Sequence, residues 1–376
     1  MKTPFMAVWL ALAVAGVIVV DAQQPPQAPS TDRPFRIVKD DPALDDIIDS
    51  NAKLELVAEH IGLSEGPLWF QEGQSGYLLF TDVAANVIYK RTPAGQLSVF
   101  LENAGYTGND VLNVGQQTIS GGRVAIILIG PNGLALDPQG RVVICAMPDR
   151  KVVRLEKDGS RTTLAERFEG KRLNGPNDVV VKSNGAVYFS DTINGIRGGA
   201  TGPSRELPFN GFYLVKNGAI TYLGGDRDQD KGAPNGITLS PDEKYLYVSS
   251  GGRVDGATRL PATVWRYEIR PDDTVTNGRV FIPDGGSDGM KVDRRGNLYT
   301  TAGGGGTPIV RITSPDGKPL GRLELPYETK EPRPRICATN VAFGDPDNRG
   351  LYITACSNVY RVRLKTPGVI PGKAVT

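Results

Sequence analysis

Short apolar runs rich in Val, Ile, Tyr and Phe recur along the chain, each broken by a cluster of Gly, Pro, Asn or Asp. "RVVICA", "AVYFSD", "YLYVSS" and "NLYTTA" follow turns such as "PQG", "SNG", "PDEK" and "RRG". Each is followed in turn by a second such run, "KVVRLE", "GFYLVK", "TVWRYEI" or "PIVRIT". β-Branched and aromatic residues in runs this short favour strands over helices. Residues 42–50, "PALDDIIDS", form the one stretch that reads as a helix, short and peripheral.

One stretch, "LNGPNDVVVKSNGAVYFSDT", starts a hairpin on the polar pair Asn177 and Asp178. Five others share its pattern: "EGPLWF" from Glu65, "NGLALD" from Asn132, "NGITLS" from Asn235, "DGMKVD" from Asp288 and "TNVAFG" from Thr339. Their spacing of roughly 50 residues suits a unit of four antiparallel strands. The sixth unit lacks a fourth strand, and an orphan strand at 54–60, "LELVAEH", precedes the first. Placing that strand in the last unit closes a ring and removes a sheet edge. The pattern therefore predicts an all-β six-bladed β-propeller over residues 41–366, its last blade completed from the N-terminus.

In such a ring the innermost strands meet along a central tunnel. Glu65, Asn132, Asn177, Asn235, Asp288 and Thr339 then gather at one mouth. Acids and carboxamides brought together in a partly buried place are costly unless something binds them. A hard divalent cation does so through oxygen ligands, and the absence of His and Cys disfavours zinc. Asn and Asp also cap turns, which accounts for single positions but not for Glu65 or for six in register.

At these residues the chain resembles the gluconolactonase/regucalcin family over about 41–366, through "SEGPLW", "LNGPNDVVV", "PNGITLSPDEKYLYVS", "SDGMKVDRRGNLY" and "TNVAFGDPDNRGLYIT". The resemblance implies a divalent-metal site at Glu65, Asn235 and Asp288, with Asn177 as a metal or substrate ligand. It assigns proton transfer to Asp288 and hydrolysis of a sugar lactone or similar cyclic ester to the whole. Asn132, Asn177 and Thr339 are the expected substrate contacts. Calcium is the expected ion, with magnesium, manganese and zinc as substitutes. One departure is "CAMP" at 145–148, where relatives often continue Cys-Glu-His-Gly; it bears on the substrate more than on the metal. An insertion at 105–123 is expected to shape the same mouth. An arylesterase or phosphotriesterase propeller, and a non-catalytic binding propeller with a structural ion, remain alternatives.

Composition narrows the partners. With 43 Lys and Arg against 41 Asp and Glu, the net charge of +2 gives no case for nucleic acid or an anionic membrane. The first 22 residues, one Lys and an apolar run ending Val-Asp-Ala, read as an export signal cleaved after Ala22. A linker (23–40) follows, and 367–376 form a C-terminal tail. The expected protein is secreted or periplasmic, and free of the membrane once the signal is removed. Cys337 and Cys356 flank a hairpin and are placed either to bridge or to stay free thiols. "DRDQDKG" at 226–232 lacks the glycine and glutamate of a calcium loop. "GGGG" at 303–306 lacks the lysine of a phosphate cradle. His60, the single histidine, sits on the closing strand as a structural residue and leaves Ser64 and Ser287 without a base.

Overall fold

The computed structural model describes residues 33–373 apart from 121–122, 229–230, 254–258, 286–287, 303–306 and 328–336. The expected export signal, the linker up to residue 32, Ser287 and the run 303–306 lie outside the described residues. The rest forms six antiparallel sheets of four or five strands arranged as the blades of a propeller, and two small two-stranded sheets, Gln117–Ser120 with Arg123–Ile127 and Arg167–Phe168 with Lys171–Arg172. From the axis outward, blade one is Ser64–Glu72, Ser75–Asp82, Val87–Arg91 and Leu97–Glu102. Blade two is Leu134–Leu136, Val142–Ala146, Lys151–Leu155 and Arg161–Ala165. Blade three is Pro176–Val181, Val187–Asp191, Gly211–Lys216 and Ala219–Gly225, and blade four is Ala233–Leu239, Tyr245–Arg253, Arg259–Ile269 and Val275–Ile282.

Blade five, Met290–Val292, Leu298–Ala302, Ile309–Thr313 and Pro319–Glu324, carries a fifth strand, Arg36–Lys39, on its outer edge. That strand falls inside the stretch expected to be linker. Its two central residues, Ile37 and Val38, are half-buried, and Ile37 packs against the core between blades five and six. Too short to register as a repeat, it gains its hydrogen bonds only from an edge that already exists.

Blade six, Asn340–Gly344, Gly350–Ala355 and Asn358–Arg363, is completed by Leu54–Ala58, with Leu54 opposite Val362 and Leu56 opposite Tyr360. The ring therefore closes as the sequence predicts. Arg361 ties the closure together, donating to Glu55 on the closing strand (2.7 Å) and to Asp345 (2.6 Å). His60 lies beyond the end of this strand rather than on it, exposed and in the left-handed region at φ 61°.

The inner strands of the blades are buried nearly throughout, as in "VVICA" at 142–146 and "GLYITA" at 350–355, so each blade packs on both faces. The buried clusters sit between neighbouring blades: Leu79, Ile88 and Ile144 between one and two, Phe189 and Tyr213 between two and three, Tyr188 and Ile237 between three and four. The cluster between blades five and six also takes Leu44, Ile47 and Ile48. It thereby docks a single 3-10 turn at Pro42–Asp46, shorter than the helix read from 42–50 and capped by Asp41.

Two further features pin the ends. Cys337 and Cys356 form a disulfide with Cα atoms 5.4 Å apart, and Cys356 offers its carbonyl to the Ser64 amide of blade one (2.7 Å). The tail is also held: Gly368 bridges Asp293 and exchanges hydrogen bonds with Asn348. Val369, Ile370 and Pro371 then cover the apolar end of the tunnel, a cavity of about 80 Å³. Each blade contributes an apolar residue to it: Leu68, Leu136, Val181, Leu239, Val292 and Phe343.

Two outcomes follow from this architecture. Cys337→Ser opens a loop whose ends are 19 residues apart, which lowers stability by about 3 kcal/mol on loop-entropy grounds. Denatured, unreduced wild type should show one reactive thiol, Cys145, which is fully buried in the fold; three thiols would exclude the bond. Deleting 367–376 should lower stability on the order of 1–3 kcal/mol and raise the fluorescence of a hydrophobic dye as the tunnel end opens. Unchanged melting and dye binding would show that the tail closes nothing.

Candidate functional site

At the other end of the tunnel the innermost strands begin with irregular steps. The pairing register shifts between Glu65 and Leu68, between Pro176 and Val179, and between Pro234 and Ile237. Each shift spans the polar residue singled out in the sequence, and a β-bulge re-aims the side chains it contains. The residue after the polar position is Gly66, Gly133, Gly236 or Gly289 in four blades. Two show why: a Cβ on Gly236 would stand 2.1 Å from the Asp288 carbonyl oxygen, and one on Gly289 would stand 2.0 Å from the Asn340 side chain. Neighbouring blades approach too closely here for any side chain.

That approach brings the acids together. Glu65 is buried, and burial followed by the nearby Asp288 charge pushes its carboxyl well above the usual range. Asp288 is raised to about 7, by burial and then by the charge of Asp178, against a hydrogen bond from the Asn235 side chain. The Gly66 amide donates to Glu65 Oε2 (3.0 Å), and Asn340 Nδ2 lies 3.4 Å from the same oxygen. Asn235 Oδ1 is buried and takes no hydrogen bond. Two acids resisting ionisation beside an unused amide oxygen form a donor set that suits a hard cation. Among the described residues no group of three or more His, Cys, Asp or Glu is gathered for a metal. Any ion here takes a mixed carboxylate and carboxamide set.

Glu65, Asn235 and Asp288 are thus brought into one cluster. Asn177 and Asn132, both buried, open their strands at the same end. Thr339 is turned away instead: its hydroxyl donates to the Ser64 carbonyl (2.8 Å) and lies 2.8 Å from the Thr354 hydroxyl. It stitches blade six to blade one and does not contact the mouth. Asn340 faces Glu65 in its place, because blade six has no glycine after the polar position. Asp178 is the other acidic or amide residue at this end that lies outside the column of first positions. It is buried, its Oδ2 accepts the Ile237 amide of blade four (3.2 Å), and its charge bears on both Glu65 and Asp288. Both stand in the glycine column, and comparing that column across the six units would have exposed them.

Beside the cluster lies a cavity of about 350 Å³ between blades three and four, reaching Asn235 and walled by Thr192, Ile193, Asn194, Asn210 and Ser250. The insertion holds one of its walls. Gly115 and Gln116 donate backbone hydrogen bonds to the Gly195 and Asn194 carbonyls (3.2 and 2.9 Å), bracing the Ile193–Gly195 turn. Ala146 and Met147 of "CAMP" are fully buried, Ala146 in the core between blades one and two.

With this geometry in place, likeness to known proteins becomes informative. A gluconolactonase from Zymomonas mobilis is 32% identical over 345 residues, covering 89% of this chain and 87% of its own. The pentonolactonase XacC of Haloferax volcanii is 27% identical over 231 residues, 59% of this chain and 66% of its own. A solved gluconolactonase from Xanthomonas campestris superposes with a TM-score of 0.67 at 26% identity, covering 92% of this chain and all (100%) of the other. Residues 63–357 match the SMP-30/gluconolactonase/LRE-like region, and the chain belongs to that family.

Proposed function

We propose that the protein is a lactone hydrolase acting on sugar lactones, with a divalent cation held by Glu65, Asn177, Asn235 and Asp288. One observation carries the reading: Glu65, Asp288 and the unpartnered Asn235 Oδ1 converge beside a cavity large enough for a small ring. Lactonase relatives along most of the chain support the substrate class. The oxygen-only donor set favours calcium, with magnesium, manganese and zinc as substitutes.

When bound, such a cation would supply Lewis acidity and positive charge at the ester carbonyl. The chain's own residues supply the rest. Asp288 accepts a proton from the attacking water and returns it to the ring oxygen as the C–O bond breaks, leaving a hydroxy acid. Asn132 and Asn177 orient the substrate through their carboxamides. Asp178 holds the blade-four strand just past Asn235 and fixes the distance between ligands from blades three and four. The Cys337–Cys356 bond suits an oxidising compartment and supports reading residues 1–22 as an export signal.

The direct test is hydrolysis of δ-gluconolactone, an aryl ester and a phosphotriester by chelated protein, with calcium, magnesium, manganese and zinc restored separately. Lactone turnover should be lost on chelation and regained with an added ion. Asp288→Ala should reduce kcat/KM by roughly 10²–10⁴, whereas Asn132→Ala should raise KM and leave the bound metal unchanged. Full activity in Asp288→Ala, or preference for the phosphotriester, would reject the mechanism.

The pH dependence of stability gives a second check. Without an ion, folded Asp288 keeps its proton to about pH 7, whereas the unfolded chain releases it near 3.8. The folded state binds more protons across that window, so stability falls as pH rises through it. Glu65, also raised, contributes with the same sign. Chelated wild type should therefore lose melting temperature between pH 4 and 7 more steeply than Asp288→Asn. Parallel slopes in the two proteins would contradict the buried-acid cluster.

A further inference from the structure

The cavity between blades three and four carries more unused hydrogen-bonding capacity than an acid cluster alone accounts for. Asn235 Oδ1, Asn210 Oδ1 and Ser250 Oγ all belong to residues on its wall, and all three atoms are buried without a hydrogen-bond partner. Asn210 and Ser250 are 4% and 8% exposed. A buried polar atom left unpaired is costly, and two of them outside the cation cluster stand on the wall of one cavity.

Their orientation is set by the fold. Asn210 donates its Nδ2 to Asp226 Oδ2 (2.6 Å), and its backbone amide donates to Asp226 Oδ1 (2.7 Å). With the amide nitrogen held, Oδ1 is left as a pure acceptor. Ser250 pairs with Pro234 on one side and Thr263 on the other. Its neighbour Ser249 turns to the opposite face of the blade and donates to the Asp288 carbonyl (3.2 Å). Strand alternation then puts Ser250 on the side of blade three, where the cavity lies. Asn235 belongs both to the acid cluster and to the cavity whose wall carries Asn210 and Ser250.

We propose that Asn210 and Ser250 read the hydroxyl groups of a polyhydroxylated lactone and set specificity for it over unsubstituted rings. The inference rests on the lactonase reading and names what that same site selects. A sugar ring offers O–H donors to Asn210 Oδ1 and a donor or acceptor to Ser250 Oγ. An alkyl or aryl acyl group satisfies neither, and a site that leaves its own polar groups unpaired discriminates against such a substrate.

The test compares kcat/KM for δ-gluconolactone and for δ-valerolactone, which has the same ring without hydroxyls. Ser250→Ala should reduce the gluconolactone value roughly fivefold to tenfold relative to δ-valerolactone, as expected for one neutral hydrogen bond, with the change in KM. Ser250→Thr, which keeps the hydroxyl, should restore the ratio. An unchanged ratio in Ser250→Ala would overturn the proposal while leaving the lactonase reading standing. If wild type hydrolyses neither lactone, that reading fails, and the wall is tested by binding alone. D-Gluconolactam, which is not hydrolysed, should then raise the melting temperature of wild type more than that of Ser250→Ala; equal shifts would refute the assignment.

Discussion

Six innermost strands have to reach one axis, and the main-chain carbonyls they bring there need partners that no water can easily supply. The structure meets this with side chains of the preceding blade. Thr81 donates to the Asn132 carbonyl (3.0 Å), Ser190 to Asn235 (2.5 Å), Ser249 to Asp288 (3.2 Å) and Thr301 to Thr339 (2.9 Å). Thr339 carries the series from blade six to blade one through the Ser64 carbonyl. The residue whose carbonyl is held is, in three of these cases, a residue assigned to the site. Its side chain therefore has one place to go, and the cluster is positioned by the same bonds that join the blades. In blade two Cys145 stands in the hydroxyl column, and the Asn177 carbonyl is met by the Gly133 amide instead (2.7 Å).

Closure, blade count and most of the cluster were legible because they are periodic. A unit of four strands repeats its turn residues and its polar first position, and the missing sixth fourth-strand pointed to residues 54–60. The unread features are those that break the period. Asp178 and Asn340 occupy a column that is otherwise glycine, so each looks like a deviation until the inter-blade approach shows that its side chain takes the space left by a glycine of the preceding blade. Thr339 carries the right position but a hydroxyl, and a hydroxyl at that spot is drawn into the bonds between blades. Arg36–Lys39 and the tail residues have no repeat to announce them. Their places are set by a sheet edge and a tunnel end that exist only once the ring has formed.

The two ends of the tunnel differ in chemistry. Leu68, Leu136, Val181, Leu239, Val292 and Phe343 make the far end apolar, and the tail covers it. At the other end Glu65 and Asp288 are buried among polar groups, and that burial raises both carboxyls.

Two kinds of selection then meet at Asn235. On one side its carboxamide donates to Asp288, leaving Oδ1 unclaimed in a cluster short of positive charge. On the other it borders a wall whose remaining unclaimed atoms, Asn210 Oδ1 and Ser250 Oγ, are neutral. A cation answers the first and cannot answer the second, because a neutral amide oxygen and a hydroxyl locked away from the acids lack the charge to hold one. Hydroxyl groups answer the second and cannot answer the first, because they bring no charge to offset two carboxylates. On the reading proposed above, an ion and a hydroxylated ring are held together with Asn235 between them.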